Sequence, residues 1–282
     1  MTTSAPHRSV VVCCPVYNDW DSVSVLIGEI KKQRLADGTD IRFVLLDDGS
    51  SESPPMDRLG KIAGRSAIDI ISLSRNLGHQ RAIAIGLSAI ASRCHCDAVV
   101  VMDADGEDDP THLCRLLGDL EEECPSAIVF AQRSRRTEGI AFRLGYASFK
   151  ALHWLLTGRG CDIGNYSVIP RRWLDRIVNN SEIWNHYAAG VLASRIPTKK
   201  VPCPRGHRYA GQSRMNFTAL VVHGLRAISV FGETVGVRVL VGVGSLSGLS
   251  VLALLTVVYI RVATTLVVPP WATTTMLVAL LL

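Results

Sequence analysis

Four times within its first 105 residues the chain runs apolar and then stops at a polar cluster. The run 10–14 gives way to Pro15-Val16-Tyr17-Asn18-Asp19, and 41–46 to Asp47-Asp48-Gly49-Ser50-Ser51. The run 67–73 ends in Ser74-Arg75-Asn76-Leu77-Gly78-His79-Gln80, and 98–102 in Asp103-Ala104-Asp105. Short, β-branched runs bounded by Gly and Pro read as buried strands. Between them lie stretches of helical character: 21–33, with Val25, Leu26 and Ile30 on one face and Asp19 or Asp21 as N-cap, a segment after Pro54-Pro55, and an Ala/Ile-rich segment after Gln80. This alternation predicts an α/β chain with a mostly parallel, doubly wound, Rossmann-like sheet. In such sheets ligands bind along the carboxyl edge of the strands.

The second half is less regular. Helix is expected over 111–122, strand over 126–131, an amphipathic helix over 140–156, strand over 162–169 and again over 196–202, and helix over 215–231. Arg133, Arg135, Arg136 and Arg143 form a basic patch, and residues 204–214 form a Gly-rich basic loop containing Arg208 and Arg214.

Charge all but vanishes towards the C-terminus. Residues 239–260 contain no charged side chain; at 1.5 Å per residue these roughly 22 residues reach about 33 Å, enough to cross a bilayer core. Arg261 closes the run, and 262–282 reads as a second, incomplete span interrupted by Pro269-Pro270. The expected division is a catalytic domain over 1–214, juxtamembrane helices over 215–238, and spans over 239–260 and 262–282. Residues 1–8 are too short and polar for a secretory leader, and Arg226 and Arg238 precede the first span, so a multi-pass membrane protein with a cytoplasmic domain is expected. The eight scattered cysteines read as reduced thiols and not as a metal or disulfide framework. A net charge of +5 suits anionic substrates and an anionic membrane, but no basic tract with interleaved aromatics points to nucleic acid. A homo-oligomer is left open.

Two Asp one residue apart at a strand end can offer oxygens to one hard divalent cation, which can neutralise a diphosphate. With Pro15-Val16-Tyr17-Asn18-Asp19, Asp47-Asp48-Gly49-Ser50 and Arg75-Asn76-Leu77-Gly78 ahead of Asp103-Ala104-Asp105, the chain resembles family 2 glycosyltransferases of the GT-A fold. The loop 208–214 and the apolar tail narrow the resemblance to the polyprenyl-phosphate glycosyltransferase branch, which includes dolichol-phosphate and undecaprenyl-phosphate sugar transferases. It covers nearly the whole chain.

The resemblance implies a nucleotide pocket from Pro15, Tyr17, Asp19, Asp48, Arg75, Gly78 and Asp103. Asp105 would ligate Mg2+ or Mn2+ and Asp103 would contact ribose or the metal; Glu107, by its own chemistry, can join them as a third metal ligand. Arg208 and Arg214 would clamp phosphate, and Arg133 and Arg143 would receive the lipid phosphate. It implies a nucleoside-diphosphate sugar as donor, a polyprenyl phosphate as acceptor, and inversion at the transferred carbon. The sequence departs from the branch in two places. Gly106 and Glu107 stand where Leu and Gln are common. The segment 162–166, where relatives place an acid at the first or fourth position, has Asp162 but Asn165; Asp162 is therefore the candidate base. A phosphate monoester, whose second pKa is near 6, scarcely needs one. Transfer to a hydroxyl of a glycolipid or polysaccharide is the alternative, and a non-catalytic binding or assembly protein is a third reading.

Overall fold

An inner strand of the sheet is apolar on both faces. β1 (Arg8–Val16) alternates its side chains between two cores, and this is why it reads as an unbroken apolar run. Val10, Val12, Cys14 and Val16 face one core; Val11 and Cys13 face the other. The computed structural model describes residues 8–35, 38–122, 127–133, 140–160, 163–210 and 217–264, and a few isolated positions beyond.

In chain order β1 is followed by α1 (Trp20–Lys32), β2 (Thr39–Asp47), α2 (Met56–Ala63), β3 (Ile68–Ser72), α3 (His79–Arg93) and β4 (Ala98–Val101). A 3-10 turn over Pro110–His112 leads to α4 (Leu113–Glu122) and β5 (Ile128–Arg133). Then come α5 (Ile140–Thr157), β6 (Ser167–Pro170), α6 (Arg171–Val178), α7 (Tyr187–Ala193), β7 (Thr198–Cys203), α8 (Phe217–Ser229) and α9 (Gly232–Ala263). The sheet order is β3-β2-β1-β4-β6-β5-β7. One face is covered by α1, α2 and α4 through Leu26, Ile30, Leu59, Leu113 and Leu116. The other is covered by α3, α6 and α7 through Ile83, Leu87, Leu174, Ile177 and Val191. On that face Gly86 lets α3 lie close: a Cβ there would come 2.5 Å from Leu46 Cδ2 and 2.7 Å from Cys13 Sγ.

The sheet is mostly parallel, as the alternation predicts, with one reversal. β6 runs antiparallel to both neighbours, pairing Val101 with Ser167 and Val129 with Val168. The strand expected over 162–169 is confined to its last residues, and 163–166 instead becomes the approach to β6 at the carboxyl end of β4. β5 and β7 are parallel to each other, with Arg133 opposite Cys203. The loop leaving β7 therefore emerges at the same edge as the loops after β1, β2, β3 and β4.

Exposed apolar side chains gather on α5, α8 and α9. α9 is the one helix among the described residues long and apolar enough to cross a membrane, and hardly any of it is buried. It begins ahead of the uncharged run 239–260. Its Arg238 donates through Nη1 to the Leu155 carbonyl near the end of α5 at 2.8 Å. Trp154, Leu155, Val221, Val222 and Leu225 are exposed on α5 and α8. The second expected span, 262–282, lies largely outside the described residues. Cys13, Cys14, Cys96 and Cys203 are buried thiols; burial pushes Cys13 up to about 12 and Cys96 to about 11.

Candidate active site at the carboxyl edge

Each parallel strand delivers a loop to this edge, and the loops are tied together by their own polar groups. Asn18, in left-handed conformation at φ 50°, donates its N–H to Ser50 Oγ at 2.9 Å, and its Oδ1 accepts from the Ser51 N–H at 2.8 Å. The loop after β1 is thereby joined to the loop after β2. Asp48 then joins the loop after β3. Its buried carboxylate accepts the N–H of Leu77 at 2.7 Å and of Gly78 at 2.9 Å. Asp48 thus shapes the Arg75–Gly78 segment, another part of the nucleotide pocket that the resemblance implies. Pro15 is buried inside β1 opposite Leu46, while Tyr17, Asp19 and Arg75 stand at the surface of their loops.

The acids after β4 meet arginines from the loop after β7. Asp105 Oδ2 lies 2.7 Å from Arg208 Nη2, and Glu107 Oε1 lies 3.2 Å from the same nitrogen. Glu107 Oε2 pairs with Arg205. Backbone bonds seat the loop on the acids: the Gly206 N–H donates to the Glu107 carbonyl at 3.0 Å, and the Tyr209 N–H to the Asp105 carbonyl at 2.8 Å. Asp103 donates its N–H to the buried Asp108 carboxylate at 3.0 Å, and its Oδ1 lies 3.1 Å from His79 Nε2.

The electrostatics follow from this crowding. Burial and then the charge of Asp103 push the Asp105 carboxyl up, against the Glu107 N–H and Arg208. Burial pushes Glu107 up too, but Arg205 and then Arg208 outweigh it and hold the carboxyl below its usual value. Burial pulls His79 down, and Asp103, helped by Asp108 and Asp105, more than reverses it. The edge therefore attracts positive charge. Among the described residues no group of three or more His, Cys, Asp or Glu side chains is placed to hold a metal ion. Asp103 and Asp105 do supply hard, partly buried oxygens of the kind that hold Mg2+ or Mn2+ together with substrate phosphates, so the donor set fits such an ion.

Of the residues the sequence suggested, Asp48, Gly78, Asp103, Asp105, Glu107 and Arg208 come together at this edge. Asp162 and Arg214 lie outside the described residues, as do Arg135 and Arg136. The side chains of Arg133, at the end of β5, and Arg143, in α5, lie outside them too. The sequence reading passed over His79, Gln80, Asp108 and Arg205. Of these, Arg205 carried a signal, its place in the same Gly-rich basic loop as Arg208.

Residues 11–178 match the model of glycosyl transferase family 2. The chain belongs to this family. Family 2 relatives include an undecaprenyl-phosphate 4-deoxy-4-formamido-L-arabinose transferase from Klebsiella pneumoniae subsp. pneumoniae. It is 27% identical over 253 residues, which span 83% of this chain and 74% of the relative. A protein of the same name from an Enterobacter species is 28% identical over 254 residues, spanning 84% and 75%. Glucosyl-3-phosphoglycerate synthase from Mycobacterium tuberculosis, solved with Mn2+, UDP-glucose and phosphoglyceric acid, superposes with a TM-score of 0.56 at 18% identity, covering 81% of this chain and 80% of the synthase. That likeness is one of fold.

Proposed function

We propose that this family 2 glycosyltransferase is membrane-anchored and metal-dependent, and moves one sugar with inversion from a nucleoside-diphosphate sugar to a polyprenyl phosphate at the cytoplasmic face. The names of the undecaprenyl-phosphate transferases among its relatives support the acceptor class, and the apolar helix α9 supports anchoring.

One observation carries the choice of a phosphate acceptor. The side chain on the approach to β6 that faces this edge is Asn165, whose Nδ2 lies 2.9 Å from His79 Nε2. An amide cannot remove a proton from a sugar hydroxyl, but a phosphate monoester is already largely anionic at neutral pH. Positioning and charge stabilisation then carry the rate.

Asp48 holds the Arg75–Gly78 loop in shape for the nucleotide. Asp103 and Asp105 would hold the divalent ion, which when bound offsets charge gathering on the departing diphosphate. Arg208, paired with Asp105 and Glu107, stands where it can also reach a diphosphate beside them, and Arg205 keeps Glu107 and the loop in place. Arg214, Arg133, Arg143 and Asp162 are proposed for phosphate clamping, lipid-phosphate binding and base on resemblance alone.

The test is incubation of membranes containing the full chain with labelled nucleotide sugars and undecaprenyl phosphate. Lipid-extractable label that mild acid releases is expected, and its loss in Asp105→Ala. An acid-stable glycoside would favour a hydroxyl acceptor. No lipid label with any common donor, or full activity in Asp105→Ala, overturns the reading.

A further inference from the structure

A run of buried polar groups holds one half-buried amide in a single sense. The Tyr187 N–H opens α7 and has no acceptor within its own helix; it donates to Gln80 Oε1 at 2.6 Å. Gln80, in the first turn of α3, is buried, and turning its amide over would set two donors against each other. Its Nε2 therefore faces Asn165 and donates to Oδ1 at 3.3 Å. Asn165 is fixed through its backbone as well, because its carbonyl accepts from the buried Ser167 hydroxyl at 2.9 Å. With Oδ1 drawn inward to Gln80, the Nδ2 hydrogens point to the carboxyl edge. There Nδ2 lies 2.9 Å from His79 Nε2, and that imidazole nitrogen lies 3.1 Å from Asp103 Oδ1.

Burying Gln80 and Ser167 carries a desolvation cost that apolar packing would avoid, and what the two fix is the sense of one amide at the site. An amide nitrogen has two hydrogens, and among the described residues His79 is the one group that meets Nδ2. An uncharged donor suits an anion. It can hydrogen-bond a phosphate oxygen, whereas a carboxylate at 165 would repel the same oxygen. The position also suits an inverting transfer, in which the incoming oxygen and the departing diphosphate lie on opposite sides of the sugar carbon. The two donor groups stand at different acids: Arg208 at Asp105, and Asn165 on the Asp103 side.

We infer that Asn165 donates through Nδ2 to the phosphate of the acceptor, and that Gln80 is the positioning residue that keeps Nδ2, and not Oδ1, turned towards it. The inference rests on the phosphate-acceptor reading above and makes position 165 a determinant of acceptor class. In the transfer an ionised phosphate oxygen supplies the electron pair of the new bond to the sugar carbon. The bond from that carbon to the diphosphate breaks, its electron pair leaves on the diphosphate, and no proton has to move. Asn165 holds the nucleophile in place without deprotonating it, which serves a phosphate and not a hydroxyl.

The experiment compares binding of undecaprenyl phosphate and of undecaprenol by the full chain in detergent micelles, with Mg2+ and, in turn, UDP, GDP, CDP and dTDP. The alcohol shares the tail and lacks the phosphate, so the ratio of the two dissociation constants isolates recognition of the phosphate. The wild-type chain should prefer the phosphate. That preference should fall about tenfold or more in Asn165→Ala, which loses a hydrogen bond to a charged group, and further in Asn165→Asp, which adds repulsion. Gln80→Met should lower it several-fold while the alcohol binds as before, an effect that a merely structural Gln80 would not have. A preference unchanged in both Asn165 variants overturns the inference and leaves the phosphate-acceptor reading standing. A wild-type chain that binds phosphate and alcohol alike overturns both. A fall in the Asn165 variants with none in a folded Gln80→Met overturns the role of Gln80. A structure of the wild-type chain with undecaprenyl phosphate decides the matter even if a variant fails to fold: a phosphate oxygen about 3 Å from Asn165 Nδ2 is expected, and a phosphate beyond its reach overturns the assignment.

Discussion

Gly106 and Gly206 face each other so closely that neither position has room for a side chain. A Cβ on Gly206 would overlap the Gly106 carbonyl oxygen, and one on Gly106 would fall 2.6 Å from the His207 carbonyl oxygen and 2.9 Å from the Tyr209 ring. Gly106 also sits at φ 90°, a conformation that other residues adopt only under strain. The glycine found where the membrane-anchored branch often has Leu is therefore what allows the arginine loop to lie on the acids. Gly106→Ala should lift that loop, costing about 1–3 kcal/mol of stability and lowering kcat/KM. Thermal unfolding and donor kinetics check this; unchanged values for both would show that the loop does not need the contact.

Asp48 shapes a loop from inside, so its loss should act on both stability and donor binding. Asp48→Asn keeps one acceptor oxygen and gives up one of the two charge-assisted bonds to the Leu77 and Gly78 N–H groups. A loss of about 1.5–3 kcal/mol in denaturant unfolding is expected, with a raised KM for the donor and a smaller change in kcat. An effect on kcat alone would contradict this role.

Glu107 is held by two arginines, and this predicts how it differs from Asp103. Glu107→Gln should free Arg205 and loosen the loop while reducing Mn2+ affinity much less than Asp103→Asn does. Its folded pKa is held below the unfolded one, so the carboxylate adds stability above about pH 4.5 that disappears as pH falls through the folded value. Glu107→Gln should remove that acid-side loss. Parallel Mn2+ titrations and pH-dependent unfolding of the two variants provide the check.

His186 gives a pH dependence of the same direction over a different range. Burial, then the neighbouring His223 and His153, pull it down from 6.5 to about 3. The unfolded chain takes up a proton below 6.5 that the folded chain refuses until about pH 3, so stability is complete above 6.5 and declines between those values. The ring also caps α7 by accepting the Ala189 N–H at 3.3 Å, and Asn can do this in its place. His186→Asn should flatten the decline of the unfolding midpoint between pH 6.5 and 3. An unaltered slope would assign the decline to other groups.

Much of this molecule is legible in its sequence, for a physical reason. β1, β2 and β4 are buried on both faces, so their apolar runs need no periodicity to be recognised, and their carboxyl ends carry the polar clusters directly. Asp103 and Asp105 are readable because both belong to one such end. β6 is only four residues long, too short to state its direction, and α6 and α7 are short helices packed by tertiary contacts. The links from Tyr187 to Gln80, Asn165, His79 and Asp103 join residues up to 107 positions apart, and no local pattern carries such a chain. Asp48 was readable as important but not as turned inward, because that depends on where the loop after β3 comes to rest.

The reversed strand turns the edge of the sheet into a kind of vernier. Val101 is set against Ser167, and Ser167 Oγ is held 2.7 Å from the Tyr187 hydroxyl, so the same tyrosine whose amide orients Gln80 also locks the scale. One division of slip between β4 and β6 would carry Asn165 about 3.3 Å along the strand and swing its side chain to the opposite face. A single-residue deletion just ahead of Ser167 would thus leave the first four strands and their acids intact, yet detune the alignment between the nucleotide side of the edge and whatever is presented to it from the other half of the chain.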